Sequence, residues 1–213
     1  MSTTKSQRIG IWIIAIVLTI GTVGSFFVMI LANNNNASDQ AALQKKQDEC
    51  NKDIAAYQDK YNALTDKLSD KYYETLKKYA DKVGSFDAAD IKKLSTEDLK
   101  AGSGGKIGDG TDYSAYYIGW NPDGKIFDQS IDGKKLKAPI PGSGLIQGWT
   151  DGVKGMKIGG IRALTIPSDQ AYGSKGSGDL IPPNTPIKFI VLAVPTPETP
   201  ELPSCYTDML TQQ

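Results

Sequence analysis

An uncharged, strongly apolar run from Ile9 to Leu31 divides this 213-residue chain into a short cationic end and a long polar remainder. About 20 apolar residues span the hydrocarbon core of a bilayer, so the run is long enough for a transmembrane helix. A cleavable signal peptide has a shorter apolar region and a cleavage site of small residues, which Ile30-Leu31-Ala32 does not provide. The run therefore predicts an uncleaved signal anchor. The alternatives are a long signal peptide and a buried core helix, and the length of the run argues against the second.

The charges beside this run predict its orientation. Lys5 and Arg8 precede the run, and the next charge after it is Asp39. Because cations near a membrane span remain on the cytoplasmic side, the N-terminus is predicted to be cytoplasmic. We therefore expect a single-pass protein of the cell membrane. Residues 1–32 form its cytoplasmic tail and anchor, and residues 33–213 are extracytoplasmic.

The composition excludes several classes of function. The chain has no histidine, and its 24 basic residues balance its 24 acidic residues. Without imidazole there is no Ser-His-Asp or Cys-His catalysis and no zinc site that needs histidine. A net charge of zero gives no reason to expect nucleic acid as a partner. Cys50 and Cys205 are too few for a cysteine-rich metal site, so we expect no metal and no cofactor. Outside the cytoplasm the two cysteines either pair within a chain, pair between chains or stay free.

A charged, alanine-rich region follows a short polar linker and has no proline or glycine before Gly84. From Cys50 to Leu68 its apolar residues recur in steps of three and four, which is a heptad pattern. Steps of four then continue to Leu76, a stutter that locally unwinds a supercoil. We expect residues 33–89 to form a linker and a helical stalk, as one long helix or a helical hairpin. The apolar seam predicts either a homodimer through a coiled coil or a single helix packed on the next domain.

Beyond about Asp90 the pattern changes to that of a folded domain rich in strands. The segments DYSAYYIGW, IRALTI and PIKFIVLAV are typical of strands, and NPDG after the first is turn chemistry. The segment LIQGWTDGVKGM places Ile146, Trp149 and Val153 at the spacing of one short helix. We therefore predict an α+β domain over residues 90–195, with an antiparallel sheet and one short helix. A proline-rich tail, expected to be extended, follows over residues 196–213.

Three segments in this domain carry a resemblance to a known family. YYIGWNPDGKIFDQS begins at Tyr116, GLIQGWTDGVKGMKIGGIRALTIPSDQAYG begins at Gly144, and GDLIPPNTPIKF begins at Gly178. In this order and spacing they resemble the FKBP family of peptidyl-prolyl isomerases, over roughly residues 96–194. The resemblance implies the FKBP-like fold, an antiparallel sheet wrapped around a short helix. In this chain the fold would be preceded by the transmembrane helix and the long helical stalk.

The resemblance also implies a proline-binding pocket between the sheet, the short helix and the glycine-rich loop near Tyr172. Its catalytic residues, carried over by motif, are Tyr117, Phe127, Asp128, Ile146, Trp149, Tyr172 and Phe189. Its further substrate-binding residues are Leu136, Leu145, Leu180 and Ile181. Trp149 would form the floor and Asp128 the polar group at the rim. The backbone N–H of Ile146 and the hydroxyl of Tyr172 would hold the peptide. Without the resemblance, aromatic residues at alternating strand positions are typical of an ordinary core.

Such a pocket implies a peptidyl-prolyl cis-trans isomerase that assists the folding of exported proteins. Rotation about an X-Pro bond is slow because amide resonance must be broken, but no bond is made or cut. An apolar pocket favours the twisted amide, which is less polar than the planar one. The implied partners are proline-containing polypeptides and macrolides of the rapamycin type. The alternative function is a non-catalytic module that binds proline-containing partners.

Two positions depart from the family pattern. Leu136 stands where the family often has an aromatic residue, and Ser177 stands where a histidine is common in the loop. A smaller pocket wall at Leu136 predicts weaker binding of macrolides or a changed peptide preference.

Overall fold

A computed structural model describes residues 37–205 and residue 207, which fall into two compact units. The larger unit is Thr65–Pro197, and the smaller combines the described residues before Thr65 with those after Pro197. The predicted anchor at residues 9–31 lies outside the described residues. Within the described part of the chain, every helix is too short or too polar to cross a bilayer.

Two α-helices and eight β-strands are assigned within the described residues. The helices are α1 (Ala37–Lys77) and α2 (Gln147–Gly152). The strands are β1 (Ser95–Lys100), β2 (Ser114–Trp120), β3 (Ile126–Gln129), β4 (Ile131–Asp132), β5 (Lys135–Leu136), β6 (Ile140–Pro141), β7 (Ile161–Ile166) and β8 (Ile187–Val194).

The larger unit is built on an antiparallel sheet with the strand order β1-β7-β8-β2-β3. The short strand β6 also pairs with β2, while β4 and β5 form a separate small hairpin. Helix α2 packs on one face of this sheet through Trp149 and through Val153, which follows its last residue. The prediction of an antiparallel sheet around one short helix is therefore confirmed.

Both faces of the central strands are buried. Successive side chains of a strand point to opposite faces. Phe189 and Val191 of β8 lie in the cluster around α2, while Ile190 and Leu192 lie in a second cluster on the other face. An antiparallel sheet commonly leaves one face in water, so this second face needs a cover.

The last turns of α1 provide that cover. Leu76 is fully buried in the second cluster, and the rings of Tyr72 and Tyr116 lie 5.9 Å apart. The hydroxyl of Ser69 accepts a hydrogen bond from the N–H of Leu136 at 2.8 Å. The compact unit therefore begins at Thr65, earlier than the predicted boundary at residue 90, because this part of the helix completes a hydrophobic core.

The segment after α1 also stays with the sheet. The helix ends at Lys77, before the end of the predicted stalk at residue 89, and a short 3-10 helix follows at Ala80–Lys82. The indole N–H of Trp120 donates to the carbonyl of Gly84 at 3.0 Å. The N–H of Phe86 donates to the carbonyl of Pro122 at 2.9 Å. These bonds tie the connection to the turn after β2.

In the smaller unit an intrachain disulfide between Cys50 and Cys205 links α1 to the C-terminal tail. This decides among the three states that the sequence leaves open for these cysteines. The rings of Tyr57 and Tyr61 are stacked with centroids 6.3 Å apart, and Leu202 of the tail also packs against Tyr57. Part of the predicted coiled-coil seam is thus covered by the tail of the same chain.

Residues 37–77 form a single helix and not a hairpin. The coiled-coil homodimer stays a prediction.

Candidate functional site

An open cavity of about 440 Å³ lies on the face of the sheet that carries α2. All seven residues predicted as catalytic line it: Tyr117, Phe127, Asp128, Ile146, Trp149, Tyr172 and Phe189. Three of the four further substrate-binding predictions line it as well: Leu145, Leu180 and Ile181. The lining comes from β2, β3, β8, the start of α2 and the β7–β8 loop (residues 167–186), so distant segments of the sequence converge here.

Four aromatic rings form the floor and one wall of the cavity. The ring of Phe189 lies 5.0 Å from Trp149, 5.5 Å from Phe127 and 6.0 Å from Tyr117, measured between centroids. All three contacts are edge-to-face, the geometry that aromatic quadrupoles favour. The indole N–H of Trp149 donates to the hydroxyl of Tyr113 at 3.3 Å, which fixes the orientation of the floor.

Gly119 allows these rings to approach so closely. It pairs with Asp128 of β3 on one side and with Phe189 of β8 on the other. A Cβ at this position would lie 2.5 Å from the Phe189 ring and 2.7 Å from the Phe127 ring, closer than carbon atoms approach in proteins. The missing side chain therefore makes room for the cavity wall. The sequence analysis did not single out this glycine.

The variant Gly119→Ala is expected to force the Phe127 and Phe189 rings apart. Overpacking of this kind lowers the free energy of unfolding by about 1–3 kcal/mol. Urea unfolding would measure the loss, and near-UV circular dichroism would report the altered ring packing. Gly105→Ala is the matched control, because a Cβ at Gly105 meets nothing within 4 Å. Equal stability and equal near-UV spectra for the two variants would contradict this role for Gly119.

Asp128 lies at the rim and holds the tyrosine of the neighbouring strand. The Tyr117 hydroxyl donates to one carboxylate oxygen of Asp128, and the other oxygen accepts the N–H of Gln129 at 2.8 Å. Burial, followed by the bond to Asp128 and its negative charge, raises the pKa of Tyr117 well above its usual range. Tyr117 therefore remains a protonated donor to Asp128. Lys137 approaches the carboxylate at 3.8 Å, but both side chains are more than half exposed and the pair is weak.

Ser130 fixes the backbone of Tyr117. Its hydroxyl accepts the N–H of Tyr117 at 2.9 Å, and its own N–H donates to the carbonyl of Tyr117 at 2.8 Å. The side chain of Ser130 is buried. Sequence reasoning missed this residue, although a serine directly after a strand can supply such a bond.

The β7–β8 loop carries Tyr172 and Ile181 to the opposite side of the cavity. Gly176 has a φ of 64°, and a Cβ there would lie 2.3 Å from the carbonyl oxygen of Ile181, so this position requires glycine. The N–H of Ser177 donates to the same carbonyl at 2.8 Å. Burial, and to a lesser degree the charge of Asp128, raises the pKa of the Tyr172 hydroxyl. That hydroxyl therefore stays a proton donor at neutral pH.

The start of α2 supplies a second group to the cavity. Ile146 immediately precedes the helix, and its carbonyl accepts the N–H groups of Trp149 and Thr150, each at 3.1 Å. Among the described residues, neither the N–H of Ile146 nor the hydroxyl of Tyr172 has a hydrogen-bond partner. Both groups can therefore bind a guest without breaking an existing bond.

Leu136 is not part of the site, so the prediction of a pocket wall at this residue is wrong. It is 5% exposed and belongs to the core cluster on the opposite face, together with Leu76. Its register in the β4–β5 hairpin, opposite Ile131, and its bond to Ser69 direct it there. Ile140 of β6 lines the cavity instead. Sequence reasoning missed Ile140, because an apolar residue between two prolines shows no periodicity.

Residues 104–193 match the family model described as FKBP-type peptidyl-prolyl cis-trans isomerase. The chain is 41% identical over 99 residues to an FK506-binding protein of Neisseria meningitidis serogroup A, covering 46% of this chain and 91% of that relative. It is 34% identical over 110 residues to FK506-binding protein 2 of Yarrowia lipolytica, covering 51% of this chain and 74% of the relative.

A solved peptidyl-prolyl cis-trans isomerase from Pseudomonas syringae pv. tomato is also similar. It is 34% identical, with a TM-score of 0.42, and the match covers 57% of this chain and 90% of that one. The Neisseria protein shows the family, because this chain is 41% identical to it over nearly its whole length. The expected isomerase is confirmed: the chain belongs to the FKBP-type peptidyl-prolyl cis-trans isomerase family.

Proposed function

We propose that the cavity beside α2 receives the proline of a polypeptide and catalyses rotation about its X-Pro bond. The observation that carries this proposal is an open cavity whose lining residues are mostly apolar and aromatic. Its volume of about 440 Å³ falls within the range of small-molecule sites. The apolar walls exclude water from the proline ring and from the amide that rotates.

Catalysis in this cavity needs no nucleophile. In the twisted transition state the nitrogen lone pair is uncoupled from the carbonyl, so the amide is less polar than in the ground state. A water-poor cavity binds this state better than the planar amide, which lowers the barrier. A decrease of about 5 kcal/mol would accelerate rotation several-thousand-fold.

The polar groups of the site have separate tasks in this mechanism. The unpartnered N–H of Ile146 and hydroxyl of Tyr172 donate to carbonyls of the bound peptide and hold it while the X-Pro bond turns. Asp128 accepts from Tyr117 and so keeps that ring in place as a wall. Trp149 and Phe189 form the rigid surface on which the proline ring rests.

The test of this function is the cis-to-trans rate of an X-Pro peptide with and without the full chain. We expect an acceleration that is proportional to protein concentration and is competed by a macrolide of the rapamycin type. Tryptophan fluorescence of the same samples, to which Trp149 in the cavity contributes, reports binding. Binding without acceleration would support the alternative, a module that holds proline-containing partners. The absence of both would refute the proposal.

We further propose that the enzyme is anchored in the cell membrane through residues 9–31 and assists the folding of exported proteins. The uncharged run after Lys5 and Arg8 supports the anchor and its orientation. The Cys50–Cys205 disulfide fits an oxidising compartment outside the cytoplasm. The full chain should fractionate with membranes, and protease added outside should reach the isomerase domain. Recovery in the soluble cytoplasmic fraction would contradict the proposal.

A homodimer through α1 completes this proposal for the full chain. The heptad pattern from Cys50 to Leu68 supports it. Sedimentation of the full chain, compared with a variant that lacks residues 38–64, would show whether the helix joins two copies or acts only as a spacer.

A further inference from the structure

The turn between β2 and β3 contacts the β7–β8 loop through one buried side chain. Asn121 is 5% exposed. Its amide nitrogen donates to the carbonyl of Leu180 at 2.9 Å, and its amide oxygen accepts the N–H of Lys125 at 3.0 Å. Both ends of the side chain are therefore used, one within its own turn and the other across to the loop.

The loop has other hydrogen bonds, but these act within the loop itself. The N–H of Ser177 donates to the carbonyl of Ile181, and the N–H of Asn184 donates to the carbonyl of Gly173, each at 2.8 Å. Such bonds shape the loop without fixing its distance from β3. The bond from Asn121 does fix that distance, because it joins the loop to the turn that leads into β3.

The two segments that Asn121 joins carry opposite walls of the cavity. Leu180 and Ile181 line the cavity from the loop, and Phe127 and Asp128 line it from β3. Ile181 is 3% exposed and packed in the core, whereas Leu180 is 37% exposed. The accepting carbonyl thus belongs to the exposed residue directly before Ile181, and Ile181 is the one buried residue between positions 177 and 184.

We propose that Asn121 is a positioning residue for the isomerase, which sets the width of the cavity between the loop wall and the β3 wall. This inference rests on the proposed function of the cavity. A wall held in place before the substrate arrives costs less conformational entropy on binding than a mobile one. The walls contact the substrate in the ground state and in the transition state alike. Loss of the bond should therefore raise KM and leave kcat nearly unchanged.

The variants Asn121→Ala and Asn121→Asp separate the two bonds of the side chain. Asn121→Ala removes both bonds. Asn121→Asp keeps the size of the side chain and an acceptor for the N–H of Lys125, but an ionised carboxylate has no proton to donate to the carbonyl of Leu180. When protonated, the same carboxyl group regains a donor. Burial and the facing carbonyl favour the protonated form, whereas the N–H of Lys125 favours the ionised form. Because the site is buried, we expect the first two effects to dominate and the pKa of the introduced carboxyl group to lie above that of an ordinary aspartate.

The experiment measures KM and kcat of the full chain between pH 5 and pH 8. An uncharged X-Pro peptide and a protease-free absorbance assay after a solvent jump avoid a coupling enzyme. Each variant is compared with wild type at the same pH, so that titration of the neighbouring charged groups is not mistaken for an effect of the substitution. These groups are Asp123 and Lys125 in the turn, Asp179 in the loop, Asp128 on β3 and Lys188 on β8. Urea unfolding at each pH gives the folded fraction.

At pH 8 we expect KM to rise about tenfold in both variants, the effect of one lost hydrogen bond, with kcat within about twofold of wild type. At lower pH the KM of Asn121→Asp should return toward wild type while that of Asn121→Ala does not. A kcat that falls in proportion to the folded fraction, with KM unchanged, would overturn the inference. Equal KM values for the two variants at every pH would overturn it as well. If wild type binds the peptide without catalysis, the proposed function fails. The dissociation constants, from the change in tryptophan fluorescence on binding, then test the same pattern.

Discussion

Replacing Phe127 with alanine is expected to lower kcat/KM of the isomerase about 30-fold or more. The ring forms one wall of the cavity and lies 5.5 Å from the ring of Phe189. Its removal admits water beside the rotating amide and forfeits about 2 kcal/mol of apolar contact with the proline. The measurement is the rate of X-Pro isomerisation, with urea unfolding to confirm that the variant is folded.

Ile126→Ala is the matched control for this prediction. Ile126 is the preceding residue on β3, is not part of the cavity lining and is 39% exposed. We expect its kcat/KM to stay within about twofold of wild type, since it has no contact with the cavity. Equal rates for the two variants would show that catalysis does not take place in this cavity.

Replacing Leu76 with alanine is expected to lower the free energy of unfolding by about 2–5 kcal/mol, the range for a fully buried leucine. Leu76 is completely buried against Tyr116 and Ile118, on the face of the sheet opposite the cavity. The loss should appear in urea unfolding followed by circular dichroism, with little change in KM because the cavity is on the other face.

Lys77→Ala controls for the change in helix composition, since Lys77 is the exposed neighbour at the end of α1. A loss at Leu76 no larger than that at Lys77 would mean that the helix is a spacer and does not belong to the fold. The same result would support the predicted domain boundary at residue 90.

The fold of the domain was predictable because each strand and turn carries its own local signal. Alternation in DYSAYYIGW and the turn residues NPDG define the β2–β3 hairpin, and the three-and-four spacing around Trp149 defines α2. Most of the cavity was predictable for a different reason. Its residues come from segments far apart in the sequence, and only the spacing shared with a known family groups them.

The placement of Leu136 was not predictable from local pattern. It lies in a strand of two residues, and its face is decided by Ser69, which is 67 positions earlier in the chain. The burial of the second sheet face did have a sequence signal. The uninterrupted apolar run from Ile190 to Val194 in β8 is typical of a strand buried on both sides.

Gly119 and Asn121 show a second limit of sequence reasoning. A glycine in a strand and an asparagine in a turn have ordinary local explanations. Only the structure shows that two rings occupy the space beside Gly119 and that the Asn121 amide reaches Leu180, 59 positions away.

The bond between Cys50 and Cys205 turns most of this polypeptide into a closed ring, since the two cysteines are 155 positions apart and enclose the entire sheet. One proteolytic nick between them opens the ring but releases no fragment, so a damaged molecule keeps its full mass until a reductant is added. The ring also restricts the unfolded chain. Loop-closure entropy predicts that a ring of this size raises the free energy of unfolding by about 5 kcal/mol.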